Sequence, residues 1–437
     1  MAQSASRGRQ IAAAVVGNAL EWYDFVVFGF VAVVISRLFF PDTDETAALL
    51  KTFLTYGVGF FMRPVGAILL GLYADRHGRK RALQLVILLM TVATAIIAFA
   101  PTYSAIGIGA PILLLVARLL QGFATGGEFA SSTAFLVEVA PAGRRGLYGS
   151  LQMVGQGGSA LFGAIAGWGI SKGLNPDQLE SWAWRLPFLV GLLIGPVGYY
   201  IRRHVEETED FLSLGERARE ASVFAVFRDH TRGFAVAFLL TVCGTTAYYG
   251  VLLYMPTWAK AQLGLPLEDA FRAQVIALVA LIAIIPAAGA LSDRIGRRPL
   301  LMFAALLYFT LPLPLFEWAL AAPSFDRLLV VQLVMCSVVG MYFGPLATTQ
   351  VEQFPTALRS TGSAMAYNFA VMIFGGFAPF ILTWIIRETG TPVAPAYYIM
   401  FGALAGGAAT LLLREVTGAA GPVAIKGDPG GFVVGEH

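Results

Sequence analysis

Apolar runs long enough to cross a lipid bilayer recur along the whole chain. A helix needs about 20 mainly apolar residues to cross the hydrocarbon layer. The stretches that approach or exceed this length are 11–40, 48–73, 82–100, 111–138, 147–171, 184–202, 231–258, 272–291, 299–321, 327–349, 360–386 and 393–414. Only 13% of the 437 residues are charged, about half the share found in soluble domains. The sequence therefore predicts an all-α membrane protein with twelve transmembrane helices.

A charged turn is repeated in the two halves of the chain. The segment Gly71–Lys80, GLYADRHGRK, ends the second apolar run, and Gly289–Arg298, GALSDRIGRR, ends the eighth. Internal repeats of this kind are typical of transporters that are built from two related bundles and bind their substrate between them. We therefore predict two pseudo-symmetric six-helix bundles.

One long polar segment separates the sixth apolar run from the seventh. Residues 11–202 are predicted to form the first bundle, 231–415 the second, and 203–230 the central loop. Residues 1–10 are polar and 416–437 are rich in Gly and Pro, so we expect an N-terminal tail and a disordered C-terminal tail. Lys and Arg are concentrated on the side that holds the loop and both tails. The positive-inside rule assigns that side, and both termini, to the cytoplasm.

Residue patterns typical of enzymes and metal sites do not occur in the sequence. Cys243 and Cys336 lie far apart in apolar runs, and the 4 histidines are scattered, so there is no metal-ligand spacing. The apolar runs hold no nucleophile–base pair and no phosphate-binding loop. The basic cluster HGRK beside a span is ordinary positive-inside topology. We therefore predict a protein that is not an enzyme and has no catalytic residue, metal, cofactor or nucleic-acid partner.

Charged side chains lie deep inside the predicted spans of the first half. Asn18, Glu21 and Asp24 follow one another at intervals of three residues in the first span. Arg63 precedes the charged turn at Asp75 by twelve residues, a rise of about 18 Å along a helix. A charge at such a depth costs several kcal/mol unless it is paired or faces water. These residues are therefore candidates for function.

The fourth span carries a polar stripe. Its members are Arg118, Gln121, Thr125, Glu128 and Ser132. On one helix these positions fall within about 80° of one another, so the stripe must face water or a polar partner. One interpretation is structural, with Arg118 and Asp24 neutralising each other. The other is a proton relay combined with an anion site, because a carboxyl group whose access to water changes can load and release a proton.

Two arginines are the predicted hosts of an organic anion. The planar fork of Arg63 or Arg118 suits a carboxylate and is always charged. Further candidate substrate contacts are Asn18, Gln121, Gln152, Gln156, Tyr248 and Asn368. Packing or hydrogen bonding between helices is the alternative interpretation of these polar residues.

In these motifs the chain resembles the major facilitator superfamily over essentially its whole length and, within it, the metabolite:proton symporter family. The resembling segments are GNALEWYDF, FFMRPVGAILLGLYADRHGRK, ARLLQGFATGGE, EVAPAGRRG, WAWRLPF, LSDRIGRR and EQFPTALRSTG. The resemblance implies the major facilitator fold, with a substrate site between the two bundles that is reached by alternating access. It also implies a multi-pass protein of the bacterial inner membrane that functions as a monomer.

The resemblance assigns gating and proton-coupling roles. Residues that match the family's gating turn are Asp75, Arg76, Gly78, Arg79 and Lys80, and the second copy supplies Asp293, Arg294 and Arg297. In the family, the gating turn locks one bundle to the other. The charges that resemble the partners of this lock are Glu138 with Arg144 and Arg145, and Glu352 with Arg359. Asp24 and Arg118 resemble the acid and the arginine that couple proton movement in sugar–proton porters. Glu21 and Glu128 are further candidates for proton coupling.

Two buried arginines favour an anionic substrate, although an arginine at position 63 also resembles zwitterion carriers of the family. The fifth span lacks the glycine–proline signature of antiporters, which favours uptake with a proton. We therefore predict a proton-coupled symporter that imports a small organic carboxylate such as citrate, tricarballylate or a dicarboxylate. The alternatives are a proton symporter for a zwitterion or another metabolite, such as proline, betaine or shikimate, and a transporter-like nutrient sensor. The expected partners are the anion, the proton as coupling ion and the lipid bilayer.

Overall fold

The computed structural model describes residues 2–77, 79–126, 128–192, 195, 228, 230–355 and 358–415. Every regular element in these ranges is helical. The helices of the first half are α1 (Ala2–Phe30), α2 (Ala32–Phe39), α3 (Glu45–His77), α4 (Arg79–Ala98), α5 (Tyr103–Ile106), α6 (Gly109–Ala124), α7 (Glu128–Glu138), α8 (Arg145–Gly173), α9 (Pro176–Ser181) and α10 (Ala183–Leu192).

The second half repeats the pattern of long helices joined by short turns. Its helices are α11 (Thr231–Ala247), α12 (Met255–Leu263), α13 (Leu267–Ile295), α14 (Arg297–Thr310), α15 (Pro312–Ala321), α16 (Phe325–Glu352), α17 (Arg359–Val371), α18 (Ala378–Thr389) and α19 (Ala394–Leu412). Two π-helical segments, Tyr248–Leu253 and Met372–Gly376, join α11 to α12 and α17 to α18. Such segments are frequent at functional sites.

The predicted all-α membrane fold is confirmed. Among the described residues, 8 helical runs are long and apolar enough to cross a membrane, or 9 if α1 and α2, which are bent by 62°, form one span. The helices α4, α8 and α10 complete the twelve spans of two six-helix bundles. With 29 residues, α8 is long enough to cross, but its nine glycines and its Ser and Gln residues make it much less apolar than the others.

The fourth span runs over Gly109–Glu138, in agreement with the predicted 111–138. Within it, α6 ends at Ala124 and α7 begins at Glu128. At this interruption Gly126 packs closely against α3, where a Cβ would clash with the carbonyl oxygen of Arg63 and the backbone of Ala67. The polar stripe is therefore divided between two helices.

Several predictions fall at or beyond the limits of the described residues. The first helix already begins at Ala2, so residues 2–10 are helical and continue into the first span, and their assignment to a cytoplasmic tail stays a prediction. The C-terminal tail 416–437 and almost all of the central loop 203–230 lie outside the described residues. The same holds for Gly78 and for the side chains of four residues of the first charged turn, Asp75, Arg76, Arg79 and Lys80.

Candidate functional site

A small cavity lies between the two bundles, in the interior of the molecule. The first bundle contributes Trp22, Met153 and Gln156, and the second contributes Thr241, Gly244, Thr245, Tyr248, Tyr249, Phe343, Leu346, Tyr367 and Val371. The space open to the centre of a water molecule is about 20 Å³. That space holds water but no organic substrate. The structure therefore represents a closed conformation of this site.

The guanidinium group of Arg63 lies directly behind the Trp22 ring that lines the cavity. Its central carbon is 4.8 Å from the centroid of Trp22 and 4.9 Å from the centroids of Phe25 and Phe60. The side chain is 1% exposed, and its Nε and Nη2 atoms have no hydrogen-bond partner among the described residues. Aromatic faces stabilise a cation, but they leave these donors available to an acceptor such as a carboxylate.

Asp24 and Arg118 are linked through two neutral side chains. The Thr94 hydroxyl of α4 donates to Oδ2 of Asp24. Gln121 Nε2 donates to the Thr94 hydroxyl at 3.2 Å, and Arg118 Nη1 donates to Gln121 Oε1 at 2.7 Å. Asp24 and Arg118 thus form no direct ion pair in the described part of the chain, but their charges still interact electrostatically, so the structural and the functional interpretation of the two charges both stay open. We call Asp24, Thr94, Gln121 and Arg118 the relay.

The relay is enclosed by protein. Asp24 is 5% exposed and Arg118 is fully buried. The central carbon of the Arg118 guanidinium lies 4.6 Å from the centroids of Phe25 and Tyr56 and 4.8 Å from that of Phe28. One oxygen of Asp24 and two nitrogens of Arg118 have no hydrogen-bond partner within the described ranges. Unpaired buried charges are costly, so these atoms are expected to gain partners in another protonation state or conformation.

The remaining predicted substrate contacts occupy different places. Gln156 and Tyr248 line the cavity. Gln152 lies behind it, where its side-chain oxygen accepts from Ser132 at 2.9 Å and its backbone oxygen accepts from Asn18 at 3.0 Å. Among these residues, Gln152 and Asn18 therefore hold helices together in this conformation.

Three further candidate residues, Asn368, Glu21 and Glu128, lie elsewhere than in the lining of the cavity or outside the described side chains. Asn368 donates to the backbone oxygen of Gly126 at 2.6 Å, and so bridges the two bundles instead of lining the cavity. Glu21 is buried and interacts electrostatically with Tyr367. The side chain of Glu128 lies outside the described residues.

The second charged turn closes one end of the molecule, which we call the turn side. Asp293 of α13 accepts hydrogen bonds from the backbone nitrogens of Gly146 at 2.7 Å and Leu147 at 2.9 Å, in the first turn of α8. A carboxylate is favourable there because the first turn of a helix carries partial positive charge and free N–H groups. Arg297 donates to Asp293 at 2.8 Å and lies 3.5 Å from Glu352. The first bundle is thus held to the second by a buried ionic network.

The partners of the lock differ from the predicted pairs. Glu138 was expected beside Arg144 and Arg145, but it contacts Arg359 of the other bundle at 3.4 Å. Glu352 contacts Arg297 instead of Arg359. The reason is that Arg359 begins α17 opposite the end of α7. Arg144, Arg145 and Arg294 are exposed at the surface.

The opposite end of the molecule is closed by aromatic contacts and exposed ion pairs. Across the bundles, the rings of Phe53 and Tyr254 lie 6.0 Å apart. An ion pair between Asp44 and Arg387 also crosses the bundles at 2.9 Å. Next to it, the hydrogen bond from Lys51 lowers the pKa of the Asp42 carboxyl. Contacts between the two bundles therefore lie on both sides of the cavity.

The exposed pair between Asp44 and Arg387 is expected to contribute little. Both side chains are more than 40% exposed, at 44% and 41%, and exposed pairs contribute about 0–1 kcal/mol. Arg387→Ala should therefore lower the free energy of unfolding by less than about 1 kcal/mol. Thermal unfolding in detergent, with Arg414→Ala at an exposed position as the control, measures this. A loss of about 3 kcal/mol or more, typical of a broken buried pair, would contradict the expectation.

Two residues of the site were not identified from sequence. Thr94 is one of two threonines in an apolar span, with Thr91, and only its position opposite Asp24 reveals its role. Tyr367 lies beside Asn368, which was selected, but nothing in the local pattern separates the two. Trp22, which lies between Glu21 and Asp24 in the first span, also lines the cavity.

Comparison with known proteins places this geometry in context. The model of the Major Facilitator Superfamily matches residues 16–379. The citrate-proton symporter of Salmonella typhi is 38% identical over 397 residues, which cover 91% of this chain and 92% of the relative. The proline/betaine transporter of Salmonella typhimurium is 31% identical over 445 residues, covering 98% and 88%. A structure of the proton:xylose symporter XylE bound to 6-bromo-6-deoxy-D-glucose matches with a TM-score of 0.77 at 18% identity, covering 95% and 97%.

Proposed function

The chain belongs to the Major Facilitator Superfamily and, within it, to the metabolite:proton symporters, and from this premise we propose that it imports a small organic carboxylate together with protons. The proposed substrates are citrate, tricarballylate and the dicarboxylates. The relative named as a citrate-proton symporter supports this choice.

The observation that carries the proposal is the unsatisfied guanidinium of Arg63 beside the closed cavity. Its Nε and Nη2 atoms lack hydrogen-bond acceptors among the described residues. A carboxylate supplies two oxygens in the geometry of an arginine fork. Because the Trp22 ring and Gln156 line the cavity next to it, a ligand there meets one cation, one amide and several aromatic faces.

The relay contains the proposed site of the coupled proton, Asp24. Asp24 reaches Arg118 only through Thr94 and Gln121. A carboxyl group that is buried without a direct counter-ion can be occupied by a proton, and access to water changes that occupancy. Proton binding at Asp24 and anion binding at Arg63 then favour each other, because each offsets charge in the same enclosed space.

Alternating access is the proposed route of the substrate. The lock on the turn side and the contacts at the opposite end each join the two bundles. Opening one set while the other stays closed would expose the cavity to one side of the membrane at a time. We propose that the turn side faces the cytoplasm and that the protein works as a monomer in the bacterial inner membrane.

Transport by purified protein in proteoliposomes tests the function. Labelled citrate is supplied outside with an acidic exterior, and uptake is followed with and without a protonophore. A gradient of one pH unit can drive about tenfold accumulation for each proton carried, since one unit is worth about 1.4 kcal/mol. Tricarballylate, 2-oxoglutarate and succinate should compete with citrate if they share the site. Uptake that ignores both the gradient and the protonophore would contradict proton symport.

The aromatic lining of the cavity supports a second candidate. Five of the lining residues are aromatic: Trp22, Tyr248, Tyr249, Phe343 and Tyr367. Such a cage is suited to a quaternary ammonium group, while Arg63 can hold the carboxylate of the same zwitterion. Betaine is therefore the competitor to include in the uptake assay. Accumulation of betaine without accumulation of any polycarboxylate would replace the carboxylate proposal and keep the proton symporter.

Arg63→Lys is expected to weaken substrate binding while the charge remains. Lysine is a point charge and cannot form the two parallel hydrogen bonds of a guanidinium. The loss of one charge-assisted hydrogen bond, about 2 kcal/mol, corresponds to roughly thirtyfold weaker binding. Titration of citrate by thermal shift measures the affinity. Arg327→Lys, outside the cavity, is the matched control, and an unchanged affinity in Arg63→Lys would remove Arg63 from the site.

A further inference from the structure

Tyr367 of α17 connects the cavity to the closure on the turn side. It lines the cavity, where its side chain interacts with Arg63 and Gln156. Its ring stacks on Phe129 of α7, with centroids 3.8 Å apart and planes inclined by 9°. One side chain of the second bundle therefore contacts both the expected anion host and a ring of the first bundle that helps to close the site.

Further contacts join α17 to the same part of the first bundle on both sides of Tyr367, with Asn368 farther from the turn side and Ser360 and Arg359 nearer to it. Asn368 donates to the backbone oxygen of Gly126 at 2.6 Å. Nearer the surface, the hydroxyl oxygens of Ser131 and Ser360 lie 3.1 Å apart, and Glu138 contacts Arg359 at 3.4 Å. We call these contacts, together with the Phe129–Tyr367 stack, the α7–α17 seal. From Tyr367 to Arg359 the seal is about 12 Å long, at 1.5 Å per residue.

The seal also meets the backbone of the anion host. Gly126, which accepts the hydrogen bond of Asn368, packs so closely against the Arg63 carbonyl that a Cβ there would clash. The side chain of Arg63 thus contacts Tyr367, and its backbone contacts Gly126, the partner of Asn368. Tyr367 and Asn368 are consecutive residues of the seal. A ligand that moves the Arg63 guanidinium acts on this group directly.

We propose that Tyr367 is the positioning residue that transmits occupancy of Arg63 to the α7–α17 seal. A carboxylate that binds the guanidinium replaces the interaction between Arg63 and the Tyr367 hydroxyl. The tyrosine ring then leaves Phe129, and the seal loosens on the turn side. The inference rests on the proposed function, because it takes Arg63 as the host of the substrate carboxylate.

Disulfide formation across the seal measures how closed it is. The double variant Ser131→Cys/Ser360→Cys places two thiols where the hydroxyl oxygens are 3.1 Å apart, and the native Cys243 and Cys336 are buried. The rate of cross-linking by a mild oxidant is compared with and without citrate at acidic pH. In this parent, citrate is expected to slow cross-linking by about fivefold, the scale of a lost aromatic pair.

Two single changes in the parent separate the hydroxyl from the ring. Tyr367→Phe keeps the stack on Phe129 and removes the hydroxyl, so citrate should no longer change the rate. Phe129→Leu removes the stack, so cross-linking should be about fivefold slower even without citrate. Tyr308→Phe is the control, because that buried hydroxyl has no hydrogen-bond partner among the described residues. It should respond to citrate as the parent does.

The outcomes distinguish this inference from the proposed function. If the parent transports citrate but Tyr367→Phe responds to citrate as fully as the parent, the hydroxyl transmits nothing and the inference is overturned. If the parent transports neither citrate nor betaine, the proposed function fails. In that case the cross-linking rates without substrate test the seal. If Phe129→Leu cross-links as fast as the parent, the role of the stack is overturned.

Discussion

Asp24→Asn is expected to abolish accumulation of substrate against its gradient while exchange of internal for external substrate continues. Asparagine matches the shape of aspartate and can still accept the hydrogen bond from Thr94, but it cannot carry a proton. The cycle then loses the coupling ion, and the driving force of about 1.4 kcal/mol per pH unit for each proton is lost with it. Accumulation should fall from about tenfold at a gradient of one pH unit to equality on both sides.

The measurement is the steady-state ratio of labelled citrate in proteoliposomes, with counterflow exchange recorded in parallel. Asp177→Asn is the matched control, because Asp177 is exposed near the start of α9. That variant should accumulate substrate as the unchanged protein does. Full proton-driven accumulation by Asp24→Asn would exclude Asp24 as the proton carrier.

Asp293→Asn is expected to open the turn side and to slow transport strongly. The carboxylate of Asp293 accepts two backbone N–H groups of α8 and pairs with Arg297. The amide of asparagine lacks the negative charge that strengthens all three contacts. Arg297 then keeps Glu352 as its only carboxylate partner in the described part of the chain. Breaking a buried pair in this way costs about 3–5 kcal/mol. The population of the closed turn side should therefore fall by two orders of magnitude or more.

The conformation is read by alkylation of a cysteine placed at Ser150. This residue is buried, and it packs on Gly289 within the closed interface. We expect Asp293→Asn to raise the alkylation rate by about a hundredfold and to reduce initial uptake at least tenfold. The affinity for citrate should change less than twofold, because Asp293 does not line the cavity. Asp326→Asn, at the exposed start of α16, is the control, and equal alkylation rates in the two variants would contradict a locking role.

The parts of the fold that depend on local sequence were predicted. Apolar length determines where the chain can cross the membrane, so most of the twelve spans follow from the apolar runs of the sequence. The deep positions of Asp24, Arg63 and Arg118 follow from the same spans. Their burial in the structure agrees with the argument that charges inside a membrane are kept only where the protein encloses them.

Contacts between distant helices could not be predicted in the same way. Thr94 and Gln121 stand between Asp24 and Arg118 because α4 packs against α6 and brings Thr94 beside Asp24 of α1, and no local pattern reports such packing. The exchange of partners between Arg297 and Arg359 has the same origin, since each arginine contacts the glutamate that the helix ends bring opposite to it. The close approach of Gly126 to α3, beside the end of α6, is a tertiary contact as well.

The composition of α8 has a consequence for how the protein is made. Its nine glycines and its glutamines allow α1 and α13 to approach it closely, but they give the helix little affinity for lipid. A segment of this kind is a poor insertion unit by itself. It can stay in the bilayer only when neighbouring helices cover it, and one of these, α13, is synthesised more than a hundred residues later. Assembly of the first bundle therefore remains incomplete until the second bundle has entered the membrane.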